Sequence, residues 1–321
     1  MSEQSGLVVC FGEAMIRHSQ NQIGESCSTP GGSEYNVAAA LSLLGRKTTW
    51  VSSLPDDEEA KLVTTPLVER SVTLDIYKSS HQVGHYSIDS SAKTVTYDRS
   101  DSAFANLDAG EINWRQLLSS SRWLVISGIT PMLSDGARAN WAAAMTFAEL
   151  DGTLIALDLN YRPALGTFQE LWDHVEPRLR MVNLLVVSPQ TLALVMGNDS
   201  LDDLIEMRRR WNIPYLACTW KNAKDNGQSR WSAVAHSHGL SSSENTAVFH
   251  QPVEHLGGGD AWLAGFIDGL LEGIVLEDCC HRGDLLAALT QRTFGDLGNV
   301  TRDELSRWES IEGPVVLLQD G

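Results

Sequence analysis

The stretch that most constrains this chain is Gly257-Gly258-Gly259-Asp260, set directly before the helical pattern Ala261-Trp262-Leu263-Ala264-Gly265-Phe266. Three glycines ahead of a helix leave backbone N–H groups uncovered by side chains, and the helix's positive end faces whatever sits in the turn. The aspartate at that entrance has two readings. One is a helix N-cap, common and stabilising on its own. The other is a carboxylate that takes a proton from an attacking hydroxyl while the backbone donors hold transferring phosphoryl oxygens. The local pattern supports both.

The 321 residues are 43% hydrophobic and 20% charged, which fits an α/β chain of one large domain with a smaller appendage. Its core needs no metal or disulfide. A formal net charge of −17 disfavours nucleic acid and anionic membranes as partners, and an anionic substrate would be drawn only by local basic residues. Cys10, Cys27, Cys218, Cys279 and Cys280 show no repeating spacing and read as reduced thiols. Adjacent cysteines in Cys279-Cys280-His281 match no ordinary zinc spacing, so no metal site is expected there. The first six residues lack the pattern of a signal peptide, and no run is long enough to span a bilayer. A cytoplasmic protein is expected.

Leu7–Phe11 is a short apolar run ending at Gly12 and reads as a buried first strand. Gly31-Gly32 precedes an alanine- and leucine-rich helix over 37–44, followed by a strand at 48–52, the opening of an α/β fold. Residues 72–97 differ: Asp75-Ile76-Tyr77, Gly84-His85-Tyr86-Ser87-Ile88 and Thr94-Val95-Thr96-Tyr97 alternate in β fashion between Ser-, Lys- and Gly-containing turns. They suggest a small sheet standing off the main domain as a lid. Strands at 123–126, 154–157, 184–187, 215–219 and 232–235 then alternate with helices such as 137–149 and 201–210, and helices at 261–271, 284–292 and 302–308 follow. No Gly-x-x-x-x-Gly-Lys-Ser/Thr loop is present.

Gly31-Gly32-Ser33-Glu34-Tyr35-Asn36-Val37-Ala38 resembles the N-terminal signature of the ribokinase-like (PfkB) sugar kinases, and Val253-Glu254-His255-Leu256-Gly257-Gly258-Gly259-Asp260 resembles their C-terminal one. Gly12-Glu13-Ala14-Met15, the run from Asp158 to Leu165, and Phe294-Gly295-Asp296 are similar to the 2-keto-3-deoxygluconate (KDG) kinase branch. The resemblance implies a three-layer α/β/α domain over 1–321 with a discontinuous β lid at about 12–34 and 72–105. It implies ATP and Mg²⁺ as cofactors, and Asp260 as the base beside the N–H groups of Gly257, Gly258 and Gly259. On the acceptor side it points to Gly32, Asn36, Tyr86, Tyr97, Arg99, Arg162 and Asp296. On the nucleotide side it points to Ser188, Thr219, Lys221, Gly257 and Gly259. A forked guanidinium suits a sugar-acid carboxylate, and tyrosine offers an apolar face with a hydroxyl. A surface ion pair for Arg99 and Arg162, strand packing for Tyr86 and Tyr97, and a cap role for Asn36 are the competing readings.

Two places depart from the family pattern. Its Asn-x-x-Glu becomes Ser188-Pro189-Gln190-Thr191, which removes a charged oxygen ligand suited to hydrated Mg²⁺. Its Lys-x-Gly-x-x-Gly becomes Lys221-Asn222-Ala223-Lys224-Asp225-Asn226-Gly227, poorer in glycine. The resulting expectation is an ATP-dependent kinase for KDG or a related sugar acid. A kinase of the same fold for a neutral sugar, and a catalytically weak sugar-binding protein, stand as alternatives. A homodimer through the lid is expected, because such sheets expose an edge and a face.

Overall fold

The computed structural model describes residues 6–20, 25–89, 94–224 and 226–318. Strand β1 (Leu7–Phe11) is apolar at every position, as a strand covered on both faces must be, and lies inside the large sheet. From its end the chain leaves that sheet for two antiparallel strands, β2 (Met15–Gln20) and β3 (Ser26–Gly31), and returns through helix α1 (Ser33–Leu43). Then β4 (Thr48–Leu54), α2 (Glu58–Glu69) and β5 (Thr73–Lys78) extend the large sheet to one side of β1. A second excursion supplies β6 (Gly84–Asp89) and β7 (Thr94–Asp98). Because β6 pairs in parallel with β2, the two excursions form one small sheet, ordered β3-β2-β6-β7.

After α3 (Trp114–Leu118) the chain builds outward on the other side of β1. It does so through β8 (Ser121–Ser127), α4 (Asp135–Asp151), β9 (Leu154–Asp158), α5 (Phe168–Val175), β10 (Leu184–Val187), α6 (Pro189–Met196), α7 (Leu201–Trp211) and β11 (Tyr215–Lys224). Then come β12 (Gly227–His236), β13 (Gly239–Ser242), β14 (Val248–His250), α8 (Gly258–Glu272), α9 (Leu276–Thr290), α10 (Arg302–Glu309) and β15 (Val315–Leu317). All pairings from β5 across β1 to β11 are parallel. Strand order therefore reverses at β1, the position beyond whose neighbours' carboxyl ends open α/β sheets bind ligands in a crevice.

Side chains of β1 alternate between two cores. Val8 and Cys10 pack with α1, α2, α8 and α9, while Val9 and Phe11 pack with α3 to α7, giving three layers. Each large apolar side chain taken fully from water, such as Phe266 or Leu41, contributes about 1.5–3 kcal/mol. Helix α8 is seated by Trp262, whose indole N–H donates to Ser232 Oγ at 2.9 Å and whose ring stacks on Phe266 at 5.0 Å.

Three local expectations differ from the structure. Residues 75–77 belong to β5 at the edge of the large sheet, paired with β4 and not with the lid strands. Residues 222–224 after Lys221 extend β11, with Lys224 opposite Gly227 of β12, and Asp225 lies outside the described residues. The helix read at 284–292 begins at Leu276, so Cys279 and Cys280 are buried in its first turns. All five cysteines are free. Among the described residues no helix is long and apolar enough to cross a membrane, and no group of three or more His, Cys, Asp or Glu side chains could hold a metal ion.

Candidate active site

The three glycines at the start of α8 answer to different demands. Gly257 has φ +66°, and a Cβ there would lie 2.1 Å from the carbonyl oxygen of Asp296. A Cβ on Gly258 would come within 2.8 Å of the Gln291 and Arg230 side chains. Packing explains those two. Gly259 has nothing within 4 Å of a built Cβ and is exposed. It leaves bare backbone at a helix N-terminus facing open space, the arrangement that accepts an anion.

Asp260 sits in the first turn, and its carboxylate is bound entirely by neutral donors. Ser33 Oγ donates to Oδ1 at 3.0 Å and Asn36 Nδ2 donates to Oδ2 at 2.7 Å. Both come from the opening of α1, so the two glycine signatures meet around one carboxylate. Ser33 Oγ in turn accepts from Asn160 Nδ2 at 3.0 Å. Asn160, at φ +40°, follows the end of β9, and its N–H donates to Asp158 Oδ1 at 2.9 Å. Desolvation pushes the Asp260 carboxyl up to about 7, opposed by the Asn36 and Ser33 hydrogen bonds and helped by the nearby Asp158 charge. Asp158 is itself pushed up to about 6 by desolvation. A carboxylate poised near neutrality beside an open helix N-terminus has the properties of a general base. It caps nothing: the α8 N-cap is Gly257, without a side-chain hydrogen bond.

The lid closes one wall of this crevice through Arg17 of β2, which is fully buried. Its Nη1 and Nη2 both donate to Glu254 Oε2 at 3.0 Å, Nη1 lies 3.5 Å from Asp296 Oδ1, and the guanidinium covers the Phe294 ring at 4.9 Å. Tyr86 OH donates to Asp296 Oδ2 at 3.1 Å, and its ring stacks on the half-exposed Tyr97 at 5.9 Å. Burial raises the Asp296 carboxyl, against the pull of Arg17 and Tyr86. Gly32 packs against the Glu13 carbonyl, where a Cβ would lie at 2.2 Å, and its N–H reaches Asn36 Oδ1 at 3.4 Å. Arg99 is buried over Tyr97 and ion-paired with Glu13, which also accepts from Ser102. Arg162 is exposed after β9 and its side chain has no ion-pair or hydrogen-bond partner among the described residues, yet its charge acts on Asp158, Asp260 and Asp296.

A family model described as pfkB family carbohydrate kinase matches residues 5–209. The chain belongs to this family. As a carbohydrate kinase it is a phosphotransferase acting on a sugar. It is 29% identical over 312 residues to the 2-dehydro-3-deoxygalactonokinase of Haloferax volcanii, covering 94% of this chain and 95% of that protein. With the 2-dehydro-3-deoxygluconokinase of Bacillus subtilis it shares 25% identity over 321 residues and 96% of each chain. The fold matches the crystal structure of the Thermotoga maritima 2-dehydro-3-deoxygluconokinase at a TM-score of 0.88, with 24% identity over 95% of this chain and 98% of that one. The Vibrio cholerae fructokinase bound to fructose, ADP and calcium superposes at a TM-score of 0.76, with 17% identity over 95% and 99%.

Among the residues expected to face a nucleotide, Ser188 caps α6, accepting from Thr191 N at 3.1 Å, and shares a hydrogen bond with Thr191 Oγ1 at 2.9 Å. These hydroxyls are neutral and engaged with each other, so they offer no charged ligand to a cation. Thr219 is half-buried on β11, two residues before Lys221. Lys221 is exposed on β11. Desolvation and then the Arg230 charge bring its ammonium down to about 8, against the pull of Asp260 and Asp158. The residues that sequence reading left out are Ser33, Arg17, Glu13 and Arg230. Ser33 lies inside the N-terminal signature, so its position was the available signal. Arg17 and Arg230 sit in polar strand sequences that give none.

Proposed function

We propose that this kinase transfers the γ-phosphoryl group of ATP to the terminal hydroxyl of 2-keto-3-deoxygluconate or a close sugar acid. The observation that carries the reading is the charge arrangement of three arginines. Arg17 is matched by Glu254 and Asp296, and Arg99 by Glu13, whereas Arg162 has no carboxylate partner among the described residues. A carboxylated acceptor supplies the missing partner, with a forked geometry that suits guanidinium. Arg99 would join it only by sharing its guanidinium with Glu13. The two sugar-acid kinases above match nearly the whole chain, which supports the same reading.

Asp260 accepts the proton of the attacking hydroxyl, held toward it by Asn36 and Ser33. The N–H groups opening α8 stabilise charge on the transferring phosphoryl, with Gly259 giving them access. Tyr86 and Tyr97 line the acceptor chain, Asp296 and Gly32 shape its floor, and Lys221 and Thr219 face the nucleotide. Mg²⁺ would supply neutralisation of phosphate charge, and neither Ser188 nor Thr191 offers it a charged ligand. The edge strands β3 and β7 of the small sheet are where a second copy would dock to form a dimer.

The test is ADP release with ATP and Mg²⁺ against KDG, its galactose-derived epimer, gluconate, fructose and ribose. Turnover is expected on the keto-deoxy acids. Arg162→Ala should raise KM for the acid about 10- to 100-fold, the loss expected for a charged hydrogen bond. Preference for a neutral sugar, or indifference to Arg162→Ala, would overturn the sugar-acid assignment. Nucleotide binding absent in calorimetry alongside sugar binding would reduce the protein to a binder.

A further inference from the structure

Arg230, on β12, is fully buried directly beneath the first residue of α8. A Cβ on Gly258 would lie 2.8 Å from its Nη1, and its Nη2 donates to the Gly258 carbonyl at 3.2 Å. Its Nη1 donates to Gln291 Oε1 at 3.1 Å, and its Nε has no partner among the described residues. Gln291 Oε1 also accepts from Gln228 Nε2 at 2.8 Å and faces His250 Nε2 at 3.0 Å, which fixes the amide with its oxygen toward the guanidinium.

No carboxylate lies within ion-pair distance of Arg230 among the described residues. Asp284 acts on it only through space, and its own Oδ2 is held by Ser232 at 2.9 Å and Ser243 at 2.6 Å. Burying a guanidinium against neutral partners is unfavourable, and an apolar side chain of similar volume would serve the fold better. Its partner across the β11–β12 register is a second cation, Lys221. Desolvation depresses both, Arg230 to about 10 and Lys221 to about 8, and their mutual repulsion adds to the shift of Lys221. In a chain of net charge −17 this corner concentrates unmatched positive charge, with the open face of Gly259 on its solvent side.

We propose that Arg230 is a positioning residue for phosphoryl transfer, a buried cation that reinforces the anion site of α8 from behind. It acts through Gly258 without touching the nucleotide. Its field, from a fully buried and so weakly screened charge, adds to that of the helix end. The inference rests on the kinase reading above.

The experiment is calorimetric titration of ATP and of ADP, with MgCl₂, into the unaltered protein, Arg230→Gln and Arg230→Lys, each checked for its melting temperature. Arg230→Gln is expected to weaken ATP about 10- to 30-fold and ADP less steeply, leaving KM for the acceptor unchanged. Arg230→Lys, which keeps the charge, should stay within about threefold of the unaltered protein. A pH series adds a signature that a structural role would not move. Nucleotide affinity should fall as pH rises through about 8, where Lys221 loses its proton, and this limb should move upward in Arg230→Gln. Of the charged groups acting on Lys221, namely Arg230, Asp260, Arg162 and Asp158, only the first is changed. Equal ATP affinity in the unaltered protein and Arg230→Gln, or equal loss for ATP and ADP with the limb unmoved, would overturn the inference alone. No nucleotide binding by the unaltered protein would overturn the kinase reading with it. Should Arg230→Gln fail to fold, Arg230→Lys decides: affinity kept within threefold upholds the role of charge, and a tenfold loss overturns it.

Discussion

Helix α8 carries two aspartates that the protein treats in opposite ways. Asp260, in the first turn, is held by a hydroxyl and an amide, and desolvation leaves its carboxyl near 7. Asp268, two turns on, is fully buried among three arginines. Arg46 Nε donates to Oδ1 at 2.6 Å, Arg282 Nη1 to Oδ2 at 2.6 Å and Arg302 Nη1 to Oδ2 at 2.7 Å. Burial pushes Asp268 up, but Arg302 and Arg46 overcome it and hold the carboxyl below its usual range. Desolvation acts on both residues; the partners decide the outcome. Neutral donors leave a carboxylate able to take a proton, and cations leave one that only holds structure. The Asp268 cluster joins the α1–β4 turn, α8, α9 and α10, with Glu272 and Glu309 balancing Arg282.

The largest effect that separates the pair is on turnover. Asp260→Asn should lower kcat by about 10²- to 10⁴-fold with sugar KM nearly unchanged and no loss of melting temperature. Survival of turnover would end the general-base assignment. Next, Asp268→Asn should destabilise the fold by about 3–5 kcal/mol, read by urea titration, because it strands buried cations. Turnover per folded molecule should be unaffected, and a specific loss of kcat would break the contrast.

The pH dependence sharpens it further, since the signs oppose. A raised carboxyl contributes stability that is fully present below its unfolded value of 3.8 and is lost as pH rises through about 7, so Asp260→Asn should melt higher than the unaltered protein at pH 8 and lose that advantage near pH 4. A lowered carboxyl contributes stability that is present above 3.8 and is lost as pH falls below it, which is the contribution of Asp268. Turnover itself should fall on the acid side with a midpoint near pH 7. The smallest effect is that of Ser33→Ala. Losing a hydrogen bond that lowers the Asp260 carboxyl should move the acid limb upward, cutting turnover severalfold at pH 6 and little at pH 9.

The two glycine signatures were readable because their chemistry demands particular residues at particular places, and the α/β alternation because buried parallel strands are continuously apolar. Arg17 was not readable. In Met15-Ile16-Arg17-His18 it looks like an ordinary strand cation, and its partner Glu254 lies 237 residues away. The placement of 75–77 failed for a related reason. Alternation marks a strand but not the sheet it joins, and β5 is claimed by β4, a neighbour no local pattern names. Asp260 was legible as a residue with two possible roles, of which the structure removes the cap, because Gly257 holds that position without a side-chain hydrogen bond.

Glu13 lies in the segment by which the chain first enters the lid, and Arg99 in the segment by which it last leaves, yet the two are ion-paired to each other. Entry and exit are thus riveted at one point, while Arg17 and Tyr86 grip the far wall through Glu254 and Asp296. The small sheet is mounted like a door, with its pin at Glu13–Arg99 and its latch at Asp296. Removing the Asp296 carboxylate would free Tyr86 and one contact of Arg17 while leaving the pin at Glu13–Arg99 in place.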